Sequence, residues 1–312
     1  MGLALRSPQQ GAGKSTYELV ALAVAAGIAG GFLGTLAAWH WLLPKTGLPK
    51  AEEPSSSGRG DGGRRSRAWL REPPGERPRV VLVATGSVAS VKVPEMAAAL
   101  CEFAELVVIL TSAGEVMAGK DVAGRYAPGT FDAWERLLAE SESNASKNEN
   151  RRICRVLRDS DEWDGYQDVS SDAVVHVELR KWADIAVVAP CSANTLAKVA
   201  LGLCDNLATC FLRAWDPERP LLLAPAMNTV MWEHPSTADH LRTLEDRGCK
   251  IVPPASKRLA CGDVGRGALA PVSEVVNEVR QACEGYQARR AAAGSGLGAW
   301  QRRGFAEWRS PP

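Results

Sequence analysis

From residue 79 onward, short apolar runs recur, and each ends in small or polar residues that lead into a helical stretch. Val80-Val-Leu-Val-Ala84 runs into Thr85-Gly-Ser-Val-Ala-Ser90 and then a helical pattern over 91–103. Leu106–Leu110 stops at Thr111-Ser112, Ile185–Ala189 at Pro190-Cys-Ser-Ala-Asn-Thr195, and Leu221–Ala224 at Pro225-Ala-Met-Asn228. A further strand is predicted over 250–252, with helices near 195–203, 236–247 and 272–284. Strands that alternate with helices in this way predict an α/β fold: a doubly wound, Rossmann-like, mostly parallel sheet flanked by helices. Ligands of such sheets sit beyond the carboxyl ends of the strands, where these small and polar residues fall.

Those strand ends carry the chemistry. Thr85-Gly-Ser-Val88 joins the first strand to the first helix, and a serine hydroxyl with free N–H groups there can bind a phosphate; an empty turn fits these residues equally well. It is not G-x-G-x-x-G, so a dinucleotide site has little support. Ser192 reads locally as a helix N-cap, and Asn194 and Thr195 add donors and acceptors beside it. Asn228 lies between Met227 and Met231 in a strand-end loop, where asparagine commonly serves a turn. Cys261 is surrounded by Gly262, Gly265 and Gly267. His176, in Val174-Val-His-Val-Glu-Leu179, is one of four histidines, and its context alone favours a plain core or surface residue over a base.

Composition excludes several classes. The 37 basic and 36 acidic residues nearly cancel, which offers no electrostatic footprint for nucleic acid. Eight cysteines form no C-x-x-C pair, so neither a zinc site nor a secreted disulfide framework is expected. Most of them, Cys204 and Cys210 included, read as small core residues in a reducing compartment.

The amino-terminal region has a different character. Leu19–Leu43 contains no Asp, Glu, Lys or Arg and ends near Trp39 and Trp41. As a helix it would be about 37 Å long, enough to cross a bilayer core of about 30 Å. The expected organisation is an amino-terminal segment over 1–18, a transmembrane helix over 19–43 and a disordered linker over 44–78. A folded domain over 79–285 and a disordered tail over 286–312 follow. Lys45, Lys50 and the arginines of 59–67 place the domain on the cytosolic side of that membrane. Gly13-Lys-Ser-Thr16 hints at a P-loop, but position 8 is Pro and no strand precedes it, so that reading is rejected. The polar stretch 139–151 reads as a surface insertion.

Taken together, the motifs resemble the flavin-dependent cysteine decarboxylase family. Pro225-Ala-Met-Asn-Thr-Val-Met-Trp232 matches the family's P-x-M-N-x-x-M-W signature, and 260–268 matches its cysteine-bearing substrate clamp. Thr85–Ala89, Ser192–Thr195, Cys204-Asp-Asn-Leu-Ala-Thr-Cys210 and Arg213-Ala-Trp-Asp216 match as well, and the resemblance covers roughly 79–285. It implies an FMN site lined by Gly86, Ser87, Val88, Thr111, Ser112, Ser192, Ala193, Asn194, Thr195 and Met227. It implies His176 as the base that assists oxidation of a cysteine substrate and Cys261 as the proton donor in the later reduction. Asn228 would hold the substrate carboxylate, Met231 would shape the pocket, and Arg258 would meet a substrate phosphate. Oxidation at the thiol-bearing carbon gives a thioaldehyde β to the carboxylate, so CO2 can leave, and the ene-thiol is then reduced. The flavin therefore ends as it began.

The full Cys-Gly-Asp clamp favours 4′-phosphopantothenoylcysteine over a peptide's carboxyl-terminal cysteine, with 4′-phosphopantetheine as product on the route to coenzyme A. Relatives assemble as homotrimers with flavin sites between subunits. A flavin-binding regulatory subunit of a protein phosphatase is the alternative. Such proteins often divide or lose the catalytic residues, whereas His176, Asn228 and Cys261 occur here in one chain.

Overall fold

The computed structural model describes residues 68–71, 74–142, 153–164, 166–168, 172–258 and 264–292. The chain divides into units 1–59 and 60–312, and every described residue lies in the second.

Six strands form one sheet: β1 (Arg79–Ala84), β2 (Glu105–Leu110), β3 (Cys154–Arg158), β4 (Ile185–Cys191), β5 (Leu221–Pro225) and β6 (Lys250–Ile251). Their order is β3-β2-β1-β4-β5-β6, and every neighbouring pair is parallel. The chain builds outward from β1 to one edge, then returns beside β1 and builds to the other. The place where it reverses lies between β1 and β4, and a crevice opens there at the carboxyl ends. A separate antiparallel hairpin joins β7 (Ala255–Arg258) to β8 (Val264–Ala268).

Because side chains alternate along a strand, the central strands are buried on both faces. Val80, Leu82 and Ala84 of β1, with Ile185 and Val187 of β4, point into one core. Helices α1 (Val93–Leu100), α4 (Pro128–Glu142) and α10 (Val272–Ala292) cover that face, contributing Met96, Leu100, Phe131, Trp134 and Val279. Val81 and Val83, with Ala186 and Val188, point into the other. There Leu179, Leu196, Phe211 and Leu244 are supplied by α5 (Val175–Trp182), α6 (Ala193–Leu201), α7 (Leu207–Arg213) and α9 (Pro235–Asp246). Each such leucine or phenylalanine contributes about 1.5–3 kcal/mol on burial. Three short helices, α2 (Ser112–Ala118), α3 (Ala123–Tyr126) and α8 (Thr229–Glu233), stand near the crevice.

Several expectations change. The transmembrane helix expected over 19–43 is corrected: among the described residues, no helix is long and apolar enough to cross a membrane. Residues 19–43 themselves lie outside the described residues. The expectation rests on apolar length and on Trp39 and Trp41 as an interfacial anchor, whereas Gly27, Gly30, Gly31 and Gly34 each lower helix propensity by about 1 kcal/mol relative to alanine. The membrane partner and the anchored, cytosol-facing localisation fall with it. The longest described helix, α10, is amphipathic and charged, with Val275 and Val279 buried beneath exposed Glu274, Arg280 and Glu284.

The structure also differs at the edges of the predicted domain. Ala68–Arg71, inside the expected linker, forms a 3-10 turn whose Trp69 and Leu70 are buried in the second core. Helix α10 continues through Ala292, past the point where the tail was expected to start. Cys204 is exposed and Cys210 half-buried, not core residues, whereas Cys101, Cys154, Cys191 and Cys283 are buried. Cys249 is half-buried as well, and all seven described thiols are free.

Candidate functional site

The ends of β1 and β4 are tied together by Thr85. Its hydroxyl donates to the Pro190 carbonyl at 2.8 Å and accepts from the Ser192 amide at 2.8 Å. Thr85 is fully buried, so this is a built junction rather than a surface contact. From it the chain turns through Gly86 and Ser87 into the 3-10 turn Val88–Lys92, and Ser87 Oγ accepts from the Ala89 amide at 3.3 Å.

The other strand ends are finished in the same manner. Thr111 caps α2, accepting from the Gly114 amide at 3.2 Å, and Ser192 caps α6, accepting from the Thr195 amide at 3.3 Å. Asn206 caps α7 through the Thr209 amide at 2.8 Å, and Asn228 caps α8 through the Met231 amide at 3.1 Å. An oxygen-bearing cap satisfies one otherwise orphaned N–H of each first turn.

Two glycines allow the walls to close up. A Cβ on Gly114 would lie 2.4 Å from the Ala84 carbonyl oxygen, so α2 rests directly on the end of β1. Gly267 has φ +137°, and a Cβ there would lie 2.5 Å from the Met227 carbonyl oxygen. The Met227 amide donates to the Gly267 carbonyl at 2.9 Å, which lays β8 across the Ala226–Asn228 loop.

These parts enclose a cavity of about 680 Å3, in the range that takes a cofactor or small molecule. It brings together Gly86, Ser87, Val88, Thr111, Ser112, Ser192, Ala193, Asn194, Thr195, Met227, Asn228 and Met231, all of them singled out in the sequence. Lys92, Tyr126, Asp159 and Asn206 also line it, and sequence reasoning missed them. Asp159 accepts from Ser112 Oγ at 3.1 Å and from the Leu207 amide at 3.1 Å, so one carboxylate fixes the starts of both α2 and α7.

The remaining predicted residues are placed differently. His176 is not among the lining residues; it lies on α5, with Nδ1 2.7 Å from Oε1 of buried Glu162. Arg258 ends β7, and its side chain lies outside what the structure describes. Cys261 falls in 259–263, between β7 and β8 in the sequence and outside the described residues. Cys191, the thiol at the end of β4, is no substitute for it. Burial, and then the neighbouring Cys249, push its pKa up to about 12, which leaves a protonated, inert thiol.

Comparisons with known proteins give this cavity a chemical context. A model of the Flavoprotein family matches residues 71–284. A phosphopantothenoylcysteine decarboxylase of Oryza sativa subsp. japonica is 43% identical over 208 residues, covering 67% of this chain and 82% of the relative. One from Arabidopsis thaliana is 41% identical over 204 residues, covering 65% and 84%. Among solved structures, the FMN-binding protein AtHal3 aligns with a TM-score of 0.54 at 40% identity, covering 67% of this chain and 98% of that one. A PPC decarboxylase mutant complexed with pantothenoylaminoethenethiol aligns with a TM-score of 0.54 at 39% identity, covering 66% and 98%.

Proposed function

The chain belongs to the flavoprotein family, and from that premise we propose how its crevice carries out the family's decarboxylation. The protein is an enzyme, a phosphopantothenoylcysteine decarboxylase; it catalyses FMN-dependent conversion of phosphopantothenoylcysteine to phosphopantetheine in coenzyme A biosynthesis. The observation that carries the reading is the gathering of twelve sequence-predicted positions around one cavity at the sheet's reversal point.

The residues present fit FMN. Gly86 keeps the first turn low, since a Cβ there would lie 2.8 Å from the Ala113 methyl carbon. Ser87, Ser112, Asn194 and Thr195 would supply hydroxyl and amide groups to a phosphate or ring edge. When bound, FMN supplies two-electron chemistry that no side chain can.

The chain's own residues would bind, orient and move protons. Asn228, on the cavity wall, would hold the substrate carboxylate, and Met231 beside it would shape the space above. His176 would take the thiol proton of the substrate's cysteine, and Cys261 would return a proton after CO2 has left. Arg258, the last residue of β7, would meet the substrate phosphate. The resemblance implies a homotrimer, and completion of the site by a neighbouring copy fits two observations: His176 stands outside the lining of its own chain's cavity, and Val88, Tyr126 and Met231 leave an apolar rim 49–63% exposed.

Full-length protein should purify yellow, and released ligand should have the mass of FMN. A folded, colourless protein that ignores added FMN would overturn the reading. Given 4′-phosphopantothenoylcysteine it should release CO2. His176→Asn and Asn228→Asp should abolish release, whereas Cys261→Ser should allow CO2 release yet stall the final reduction, because a hydroxyl is a far weaker acid than a thiol of pKa ~8.5. Wild-type turnover in all three variants contradicts the assigned roles.

A further inference from the structure

Glu162 is a buried carboxylate for which the reaction above has no task. It ends the 3-10 turn Asp159–Glu162 and is the turn's one buried residue, at 5% exposure. Its Oε1 lies 2.7 Å from His176 Nδ1, while Oε2 is buried without a hydrogen-bond partner among the described residues. Its charge also reaches α7: the Cys210 thiol is pushed up by burial first, and then by Cys204 and Glu162. A half-served buried carboxylate is a poor stabilising device, and an apolar group of the same size is often neutral or better in such a place. Its presence calls for another reason.

The geometry supplies one. An ionised carboxylate can only accept, so Nδ1 of a neutral imidazole must donate to it, and Nε2 is left with the lone pair. The same short turn is pinned to the cavity at its other end. Asp159 lines the crevice and accepts from Ser112 and Leu207, three residues before the carboxylate that holds the histidine. The turn therefore links the cavity wall to the imidazole through two acids of different duty.

We propose that Glu162 is a positioning residue that locks His176 in the Nδ1–H tautomer and so makes Nε2 the nitrogen that receives the substrate's thiol proton. This rests on His176 being the base. In that step the S–H bond breaks, its electron pair stays on sulfur, and an N–H bond forms at Nε2. The resulting imidazolium is balanced by Glu162, which keeps its negative charge and takes no proton.

The test uses full-length, FMN-loaded protein labelled with 15N in histidine, with His176→Asn to assign the His176 signals among the four histidines. In wild type, with the ring neutral, the 15N shifts should report a protonated Nδ1 and a bare Nε2. In Glu162→Leu, which leaves Nδ1 without its acceptor, the signature should move toward the Nε2–H form. Glu162→Gln should lower kcat roughly 10- to 100-fold, less than the ~100- to 10,000-fold that the positioned base itself contributes, with KM changed less than about twofold. Glu162→Asp, which keeps the charge, should recover a large part of that loss. An unchanged 15N signature in Glu162→Leu, or wild-type kcat in Glu162→Gln while His176→Asn is dead, overturns the role of Glu162 and leaves the base intact. Full activity of His176→Asn overturns the base, and the proposal with it.

Discussion

At single residues, the site is governed by which groups are kept from ionising and which atoms are kept absent. Cys191 and Cys283 both have pKa values pushed up to about 12, in each case chiefly by burial. Near pH 7 these thiols hold their protons in the folded and unfolded chain alike. Between about 9 and 12 the unfolded chain loses protons that the folded one keeps, so stability falls as pH rises through that window. Denaturant midpoints measured across pH 8–11 should therefore drop less steeply in Cys191→Ala than in wild type; parallel curves would refute this. Iodoacetamide at pH 8 should label exposed Cys204 well before either buried thiol, as peptide mass mapping would show. The absent atom matters most at Gly267. Gly267→Ala combines an unfavourable φ with a 2.5 Å approach to the Met227 carbonyl, and should lift β8 from the cavity and weaken FMN retention at least tenfold. Retention equal to wild type by fluorescence titration would show that the hairpin can shift at no cost.

Between elements, buried polar ties decide the register. Asp184 precedes β4, accepts from the Arg79 amide at 3.0 Å and from Arg290 at 3.1 Å, and so joins the start of β1 to α10. Asp184→Ala should lower unfolding stability by about 1–3 kcal/mol, read from a urea midpoint, because it orphans a buried amide. A midpoint within error of wild type would mean the tie contributes nothing. These ties explain what was readable in advance. The runs at 80–84, 185–189 and 221–224 are apolar throughout because both of their faces are covered, and they gave the sheet and its ligand-bearing edge directly. β3 was not anticipated: Arg155 and Arg158 interrupt its pattern, as suits an edge strand with half-buried positions. Nor was α5, since Val174–Val177 carries no helical periodicity until Leu179 and Trp182 are seen packed in the second core. Asp159 and Glu162 belong to a locally acidic run, Asp159-Ser-Asp-Glu162. The burial of Glu162 and the partners of both come from α2, α5 and α7, which are distant in sequence, so no local signal could have marked them.

For the molecule as a whole, assembly is the sharpest expectation. Light scattering of the FMN-loaded protein should give about three times the chain mass of 33.3 kDa. A fully active species of single-chain mass would refute completion of the site by a neighbouring copy. The sheet's order also has a consequence in time. Its central strand pairs with β4, whose residues arrive more than a hundred positions later, and the bonds at the two ends of that pair each span 105 residues. Such distant closure is slow and costs loop entropy before it gains contacts. On the ribosome, β1 and β2 can meet early, but one side of β1 must wait exposed until Pro190 has been synthesised and released. A nascent chain stalled before that point should present an unpaired apolar strand edge to chaperones, and one stalled after β5 should not.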